Sequence, residues 1–378
     1  MLKIHDLFCV SLGLDKKTSQ ILSGKIFLVT NLIELSNVVL SITVSCNIVK
    51  YPYTTTQVDW KRPKIAREIL QLFMKRSDLL GLWHCLGVLF ILASLAYLSY
   101  RFYKSEQWVL LAAGLYIYGG LFAFNPQTHE LAHRTVFRSR WLNDLFGRVF
   151  GVVHWNSNLA TYRMSHKYHH RYTLYGQSEA ERVVPRVQTI ESVLQRAILV
   201  IDISGFITAL YNQLFMVFCP YLKNPRLTIW SRYVYEMATP KERRDAYWRN
   251  LSQLIIHCVI AIIVIAIGEW FIIVLVSLPK FYGARWYHML VHDTMHVGRQ
   301  AETDDFRENT RTVRVDPFTS FMYWHMEWHT EHHAFPAVPC YQLKKFYQAT
   351  SEHWQVPQTL TQAWSEMNKE SNKLLLIG

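Results

Sequence analysis

Four long apolar runs interrupt an otherwise polar chain. Residues 79–100 read LLGLWHCLGVLFILASLAYLSY, about the 20 residues a bilayer-spanning helix needs. Ser77 and Asp78 precede that run, in the position of an N-cap. A polar turn at 101–107 leads to a second run, 108–124. Residues 251–267 and 271–292 repeat the arrangement around Gly268-Glu269-Trp270. The pattern predicts an all-α integral membrane protein, with four transmembrane helices at about 79–100, 108–124, 251–267 and 271–292, paired in two hairpins.

The remaining segments are organised around these spans. Residues 26–49 are apolar but carry Asn31, Glu34 and Asn37. They predict an amphipathic helix lying on the membrane, within an N-terminal extension, 1–60. Residues 198–218 contain Asp202, Asn212 and Gln213 and predict an interfacial or protein-buried stretch. The membrane domain then runs over 61–350, and 351–378 forms a C-terminal tail.

Charge fixes the orientation. Only 18% of the 378 residues are charged, and the net charge is +12; an ordinary soluble chain has about a quarter of its residues charged. The cations flank the apolar runs: Lys61, Arg62, Lys75 and Arg76, then Arg134, Arg138 and Arg140, then Lys241, Arg243 and Arg244. This is a positive-inside pattern, not a nucleic-acid stripe. It places the long loops and both termini in the cytosol, at a bacterial inner membrane or an ER membrane. The six cysteines are far apart and form no CxxC, so no zinc knuckle or redox pair is signalled. His5, Asp6 and Asp15 make the first residues a poor signal peptide.

Chemistry enters with the histidines. Of 17, twelve fall in four clusters. They are His129 and His133; His166, His169 and His170; His288, His292 and His296; and His325, His329, His332 and His333. Positions i, i+3 and i+4 share a helix face, so HxxxH presents two imidazoles together and HxxHH three. About 0.03 HxxHH motifs are expected by chance, and two occur. Neutral imidazole ligates iron, zinc, copper and nickel. Clusters one and three lie at span ends, and clusters two and four lie in the long polar segments. Helices continuing from both hairpins are therefore expected to converge beside the membrane, in a cytosolic helical cap. Eight or more imidazoles exceed the four ligands of a tetrahedral zinc and suit two metals.

Cluster one also reads HExxH, the pattern of a zinc protease with Glu130 as general base. Such a site needs only one further ligand, whereas three more clusters are present. In the two-metal reading Glu130 orients a ligand ring. A metal transporter would place its ionisable residues inside the spans, and these histidines sit at span ends and in loops.

HELAH, HKYHH and HTEHH resemble the three histidine boxes of the membrane fatty-acid desaturase/hydroxylase superfamily, over roughly residues 60–345. The chain is most similar to a bacterial branch of rhizobitoxine-type desaturases and rhizopine-type hydrocarbon oxygenases. The resemblance there lies in Arg76-Ser77-Asp78-Leu79-Leu80-Gly81-Leu82, Arg140-Trp141-Leu142-Asn143, Asn309-Thr310-Arg311-Thr312-Val313, Tyr323-Trp324 and the stretch His329 to Pro336. It implies two Fe ions held by His129, His133, His166, His169, His170, His329, His332 and His333. A further ligand is implied at the end of the fourth span, where His292 matches best. His288, His296, His325, Glu130 and Glu331 are then supporting residues or alternative ligands. His325 and Glu327 depart from the branch, which is expected to have Asn at both.

The resemblance also implies an activity. It is O₂-dependent desaturation of a lipid-like or fatty-acyl chain, with hydroxylation of a fatty acyl, alkane or related hydrocarbon as the alternative outcome at the same site. The electrons must come from an external donor, a ferredoxin or a cytochrome b5-like protein, since no haem-type motif and no Cys ligand set is present.

Overall fold

In the computed structural model, residues 57–154, 159–175, 179, 181, 189–198, 210, 214, 217, 238–282 and 286–377 are described. They belong to the larger of two units into which the chain divides. The expected surface helix at 26–49 and most of the 198–218 stretch lie outside the described residues.

A short helix α1 (Arg67–Phe73) precedes the first long apolar one, α2 (Asp78–Lys104). The Ser77 hydroxyl caps α2 by accepting from the Leu80 N–H at 3.3 Å, and Arg101 and Lys104 occupy its last turn, so both ends suit the helix dipole. Its large side chains face outward, Phe90 at 73% and Leu79 at 76% exposure. On a span, that apolar face meets lipid. α3 (Trp108–Phe122) returns antiparallel. Pro126 then opens α4 (Pro126–His133), whose C-cap Arg134 adopts a left-handed φ of 59°. α5 (Arg140–Val153), α6 (Leu159–Arg171) and α7 (Ile190–Ile198) follow.

The next long helix, α8 (Pro240–Ala266), begins with a reciprocal capping box between Thr239 and Glu242. Among the described residues, three helices are long and apolar enough to cross a membrane: Asp78–Lys104, Trp108–His133 and Pro240–Ala266.

The fourth apolar run is not one continuous helix. α9 (Phe271–Ser277) ends in a 3₁₀ turn at Pro279–Phe281, and a separate α10 (Trp286–His292) follows. Proline has no N–H to continue the ladder and disfavours helical geometry in the residue before it; Leu278 accordingly sits at φ −113°. The break lets the backbone come close to α3. A Cβ on Gly119 would lie 2.1 Å from the Tyr282 carbonyl oxygen, so this crossing requires glycine.

The two hairpin turns meet on the side away from the histidines. Glu269 accepts from Tyr100 at 2.8 Å and from Lys104 at 3.0 Å, and Tyr103 stacks on Phe271 at 4.0 Å.

The C-terminal third completes the histidine side with α11 (Phe306–Asn309), α12 (Pro317–Met322), α13 (His329–Ala334), α14 (Cys340–Ala349) and α15 (Leu360–Ile377). A minimal parallel pair, β1 (Val313–Arg314) with β2 (Gln358–Thr359), ties the segment after 350 to the rest. Trp364 and Met367 of α15 are buried against Val193 and Val297, so this segment packs back onto the histidine side.

Candidate metal centre

Four elements deliver nine imidazoles to one place. They are α4, α6, α13 and the 3₁₀ turn at Asp293–Met295 that follows α10. The rings form two groups whose ligating atoms lie within 4.8 Å of one another. One holds His129, His133, His166, His170 and His332; the other holds His169, His296, His329 and His333.

Each HxxHH segment serves both groups. His166 and His170, four residues apart, join the first group and His169 the second; His329 and His333 join the second and His332 the first. A helix advances 100° per residue. The i+4 side chain is therefore displaced about 40° to one side of residue i and the i+3 side chain about 60° to the other. One helical turn thus forks toward two centres.

The contacts within each group are short and run between Nε2 atoms. His133 and His166 approach to 2.9 Å, His166 and His170 to 3.0 Å, and His170 and His332 to 3.2 Å. In the second group His296 and His329 stand 2.8 Å apart, and His329 and His333 3.0 Å. Two nitrogens bound at about 2.1 Å to one ion and at right angles lie about 3.0 Å apart.

The opposite ring edges set the tautomers. The Glu179 carboxylate accepts from His169 Nδ1 at 2.9 Å, Glu181 from His166 Nδ1 at 3.2 Å and Glu130 from His129 Nδ1 at 3.0 Å. The Asn309 carbonyl accepts from His296 Nδ1 at 3.1 Å, and the Thr173 hydroxyl lies 3.0 Å from His333 Nδ1. A proton held on Nδ1 leaves Nε2 as a bare lone pair. Burial pushes His166, His170, His329, His332 and His333 well below the usual imidazole range, so they stay neutral. Converging lone pairs repel unless a cation sits between them. The donor set thus fits two metal ions, with the carboxylates of Glu130, Glu179 and Glu181 behind the rings to balance their charge.

One short segment braces the site. Asn309 receives His296 and donates to the Thr173 carbonyl at 3.0 Å. Thr310 donates to Thr330 at 2.9 Å and Thr312 to Glu331 at 2.7 Å. Buried Arg311 donates to the carbonyls of Thr294 and Val297 and to the Glu366 carboxylate. It thereby holds the turn that presents His296. Arg163 likewise donates to the Leu131 and Ala132 carbonyls at the end of α4.

All eight histidines of the three boxes lie in the two groups, and His296 is the ninth. His292 lies outside both; its Nδ1 is 2.8 Å from the Tyr323 hydroxyl and its ring stacks on His288 at 4.6 Å. His325 is also apart, with its Nε2 3.2 Å from that of His84 and its Nδ1 2.8 Å from Ser320. Burial raises Glu327, beside Ser320, and Glu331 to about 7. Sequence reasoning missed Glu179, Glu181 and Thr173. Their only signal is polar residues shortly after HKYHH, and nothing local shows that the chain folds back there.

The sequence from 106 to 361 matches the family model of the fatty acid desaturases. The chain belongs to the fatty acid desaturase family. No curated protein matches it. As a desaturase-family member with three apolar helices of spanning length among its described residues, it is a membrane protein with oxidoreductase-type ancestry. The two histidine groups lie entirely within the matched residues.

Proposed function

We propose that the protein is an O₂-dependent dinuclear iron desaturase, which introduces a double bond into a lipid-like or fatty-acyl chain. The single observation that carries this reading is the division of nine imidazoles into two adjacent groups. On this reading His129, His133, His166, His170 and His332 hold one ion, and His169, His296, His329 and His333 hold the other. Two irons, when bound, supply the reduction of O₂ and the oxidative power to take hydrogen from an unactivated C–H bond.

The protein's own residues prepare that centre. Glu179, Glu181, Glu130, Asn309 and Thr173 fix ring orientation through Nδ1, so little reorganisation accompanies metal binding. Seven of the nine histidines are buried, which limits the access of bulk water to the oxidising centre. The two electrons come from a separate acidic carrier. Arg138, Arg140 and Arg148 on or beside α5 and Lys241, Arg243 and Arg244 on α8 are exposed on helices that pack together, which favours an acidic partner. By the positive-inside rule this side faces the cytosol.

The HExxH protease reading is disfavoured by the position of Glu130. A general base must face the metal's open side. Glu130 is fully buried on the Nδ1 side of the rings, 3.0 Å from His129 and 3.7 Å from His332.

The test is lipid mass spectrometry on cells with and without the gene. Loss of two hydrogens from a lipid supports the desaturase. Gain of one oxygen shifts the assignment to the hydroxylase, and no change in any lipid rejects both.

A further inference from the structure

The turn that carries His296 is held from outside its own helix. α10 stops at His292, and the 3₁₀ turn Asp293–Met295 leads into His296. Carbonyls at such a break lose the partners that a continuous helix would give them. Three carbonyls here receive donors from elsewhere in the chain. The Trp364 indole N–H donates to the Leu290 carbonyl at 2.8 Å, and Arg311 donates to the carbonyls of Thr294 and Val297. Residues 294 and 297 flank His296, so Arg311 grips the backbone on both sides of the ligand.

Arg311 is in turn held by α15. Its side chain is only 2% exposed, and its Nη2 donates to the Glu366 carboxylate at 2.9 Å. Arg299 Nη1 donates to the same oxygen at 3.0 Å, and its Nη2 donates to the Arg307 carbonyl at 2.7 Å. The other Glu366 oxygen accepts from Gln358 at 2.9 Å. One carboxylate therefore joins β2, the residues just after His296, and the guanidinium that grips the turn. A buried charge that loses its partner is strongly unfavourable. Without Glu366 the Arg311 guanidinium is expected to turn toward water and release both carbonyls.

Packing ties the same elements together. Ala363, Trp364, Met367 and Ser371 are the buried stripe of α15, at the spacing of one helix face. The chain leaving His296 passes directly over that stripe. Gly298 has a left-handed φ of 72°, and a Cβ there would lie 3.4 Å from the Met367 Cα.

The two metal groups differ in their dependence on this turn. His296 belongs with His169, His329 and His333, whereas the ligands of the other group all come from α4, α6 and α13. Glu366 also lies beyond residue 361, where the family match ends, so the match itself assigns it no role.

We propose that α15 is a clasp for the second metal group and that Glu366 is a positioning residue for His296. Acting through Arg311 and Arg299, its carboxylate fixes the turn that aims His296 Nε2 at the second ion. This rests on the two-ion reading above, and it adds a residue that governs one ion and not the other.

Ferrous iron binding tests the clasp without turnover. The full-length protein in lipid nanodiscs is titrated anaerobically with isotopically enriched ferrous iron against a chelator, and bound iron is followed by metal analysis and Mössbauer spectroscopy. In Glu366→Ala the affinity for one ion is expected to fall roughly 10- to 100-fold, the loss typical of a partner behind a ligand. The other ion keeps its wild-type affinity. The iron left at low loading is expected to give the spectrum of His296→Ala, which lacks the ligand itself. Glu366→Gln keeps an acceptor oxygen and is expected to lose less, at the same ion.

Trp364→Phe keeps the bulk of the side chain without the indole N–H, and it serves if Glu366→Ala does not fold. It is expected to weaken that same ion. Wild-type affinity for both ions in the folded variants overturns the clasp, as does an equal loss of both ions. A wild-type protein that takes up one iron or none overturns the two-ion reading, and the clasp with it.

Discussion

His296 Nε2 lies 2.8 Å from His329 Nε2, whereas His292, four residues earlier, turns to the Tyr323 hydroxyl. Exchanging each for alanine separates their roles. His296→Ala is expected to lower bound iron from about two per chain to about one and to abolish activity. His292→Ala is expected to keep the metal and to change substrate handling, because it lines the cavity of about 320 Å³ beside the histidines. Metal analysis by mass spectrometry decides the point; iron lost from the His292 variant and kept in the His296 variant would reverse the assignment.

Glu179 accepts from His169 Nδ1 at 2.9 Å and also receives the backbone N–H groups of Leu174 and Glu181, at 3.0 and 2.8 Å. Removing a partner of this kind costs roughly 10- to 100-fold in metal affinity. Glu179→Ala should show that loss in a chelator competition. Glu179→Gln keeps an acceptor and should lose less. Equal affinities in wild type and both variants would sink the orienting role.

Metal removal should destabilise the fold as well as stop turnover. Nine imidazoles gather in two groups that could each hold an ion, and a ligand that binds only the folded state stabilises it by mass action, by about 2.7 kcal/mol at 100 times its dissociation constant. The chelated protein is expected to melt at a lower temperature and to recover when ferrous iron is restored. An unchanged melting temperature in a preparation shown to be metal-free would contradict this.

Arg311 holds two carbonyls and the Glu366 carboxylate with one guanidinium. Hydrogen bonds to a charged group are worth about 1.5–3 kcal/mol each when buried, and Lys cannot reproduce the planar fork. Arg311→Lys is therefore expected to lower stability by about 2 kcal/mol and to weaken the metal group containing His296. Denaturation together with iron content measures both, and an unaltered iron content would remove the link to His296.

His325 sits at a left-handed φ of 57° and is bonded to His84 and Ser320. Asn tolerates this backbone region well, so His325→Asn should fold with its metals in place. It should lose about 1–2 kcal/mol, because buried His84 Nε2 loses its partner. Loss of iron in this variant would show that the pair reaches the metal groups.

The histidine boxes were legible because their geometry is local. The spacings i, i+3 and i+4 bring rings together on any helix, and all eight box residues lie in the two groups. The first, second and third apolar runs were legible for the same reason, since length and hydropathy suffice. The fourth run was not. Extending the i, i+4 stripe from His288 through His292 assumes an unbroken helix. In the structure α10 stops at His292, a 3₁₀ turn intervenes, and His296 follows at φ −129°. That change of pitch swings His296 toward His329 and leaves His292 on the cavity wall.

The sequence by itself thus determined the type and clustering of the candidate ligands and the membrane setting, since each follows from residue identity and short-range periodicity. Only the tertiary structure decided how the rings are shared between two centres and which carboxylates stand behind them. Those relations join residues as far apart as His170 and His332, and they depend on how separate helices cross.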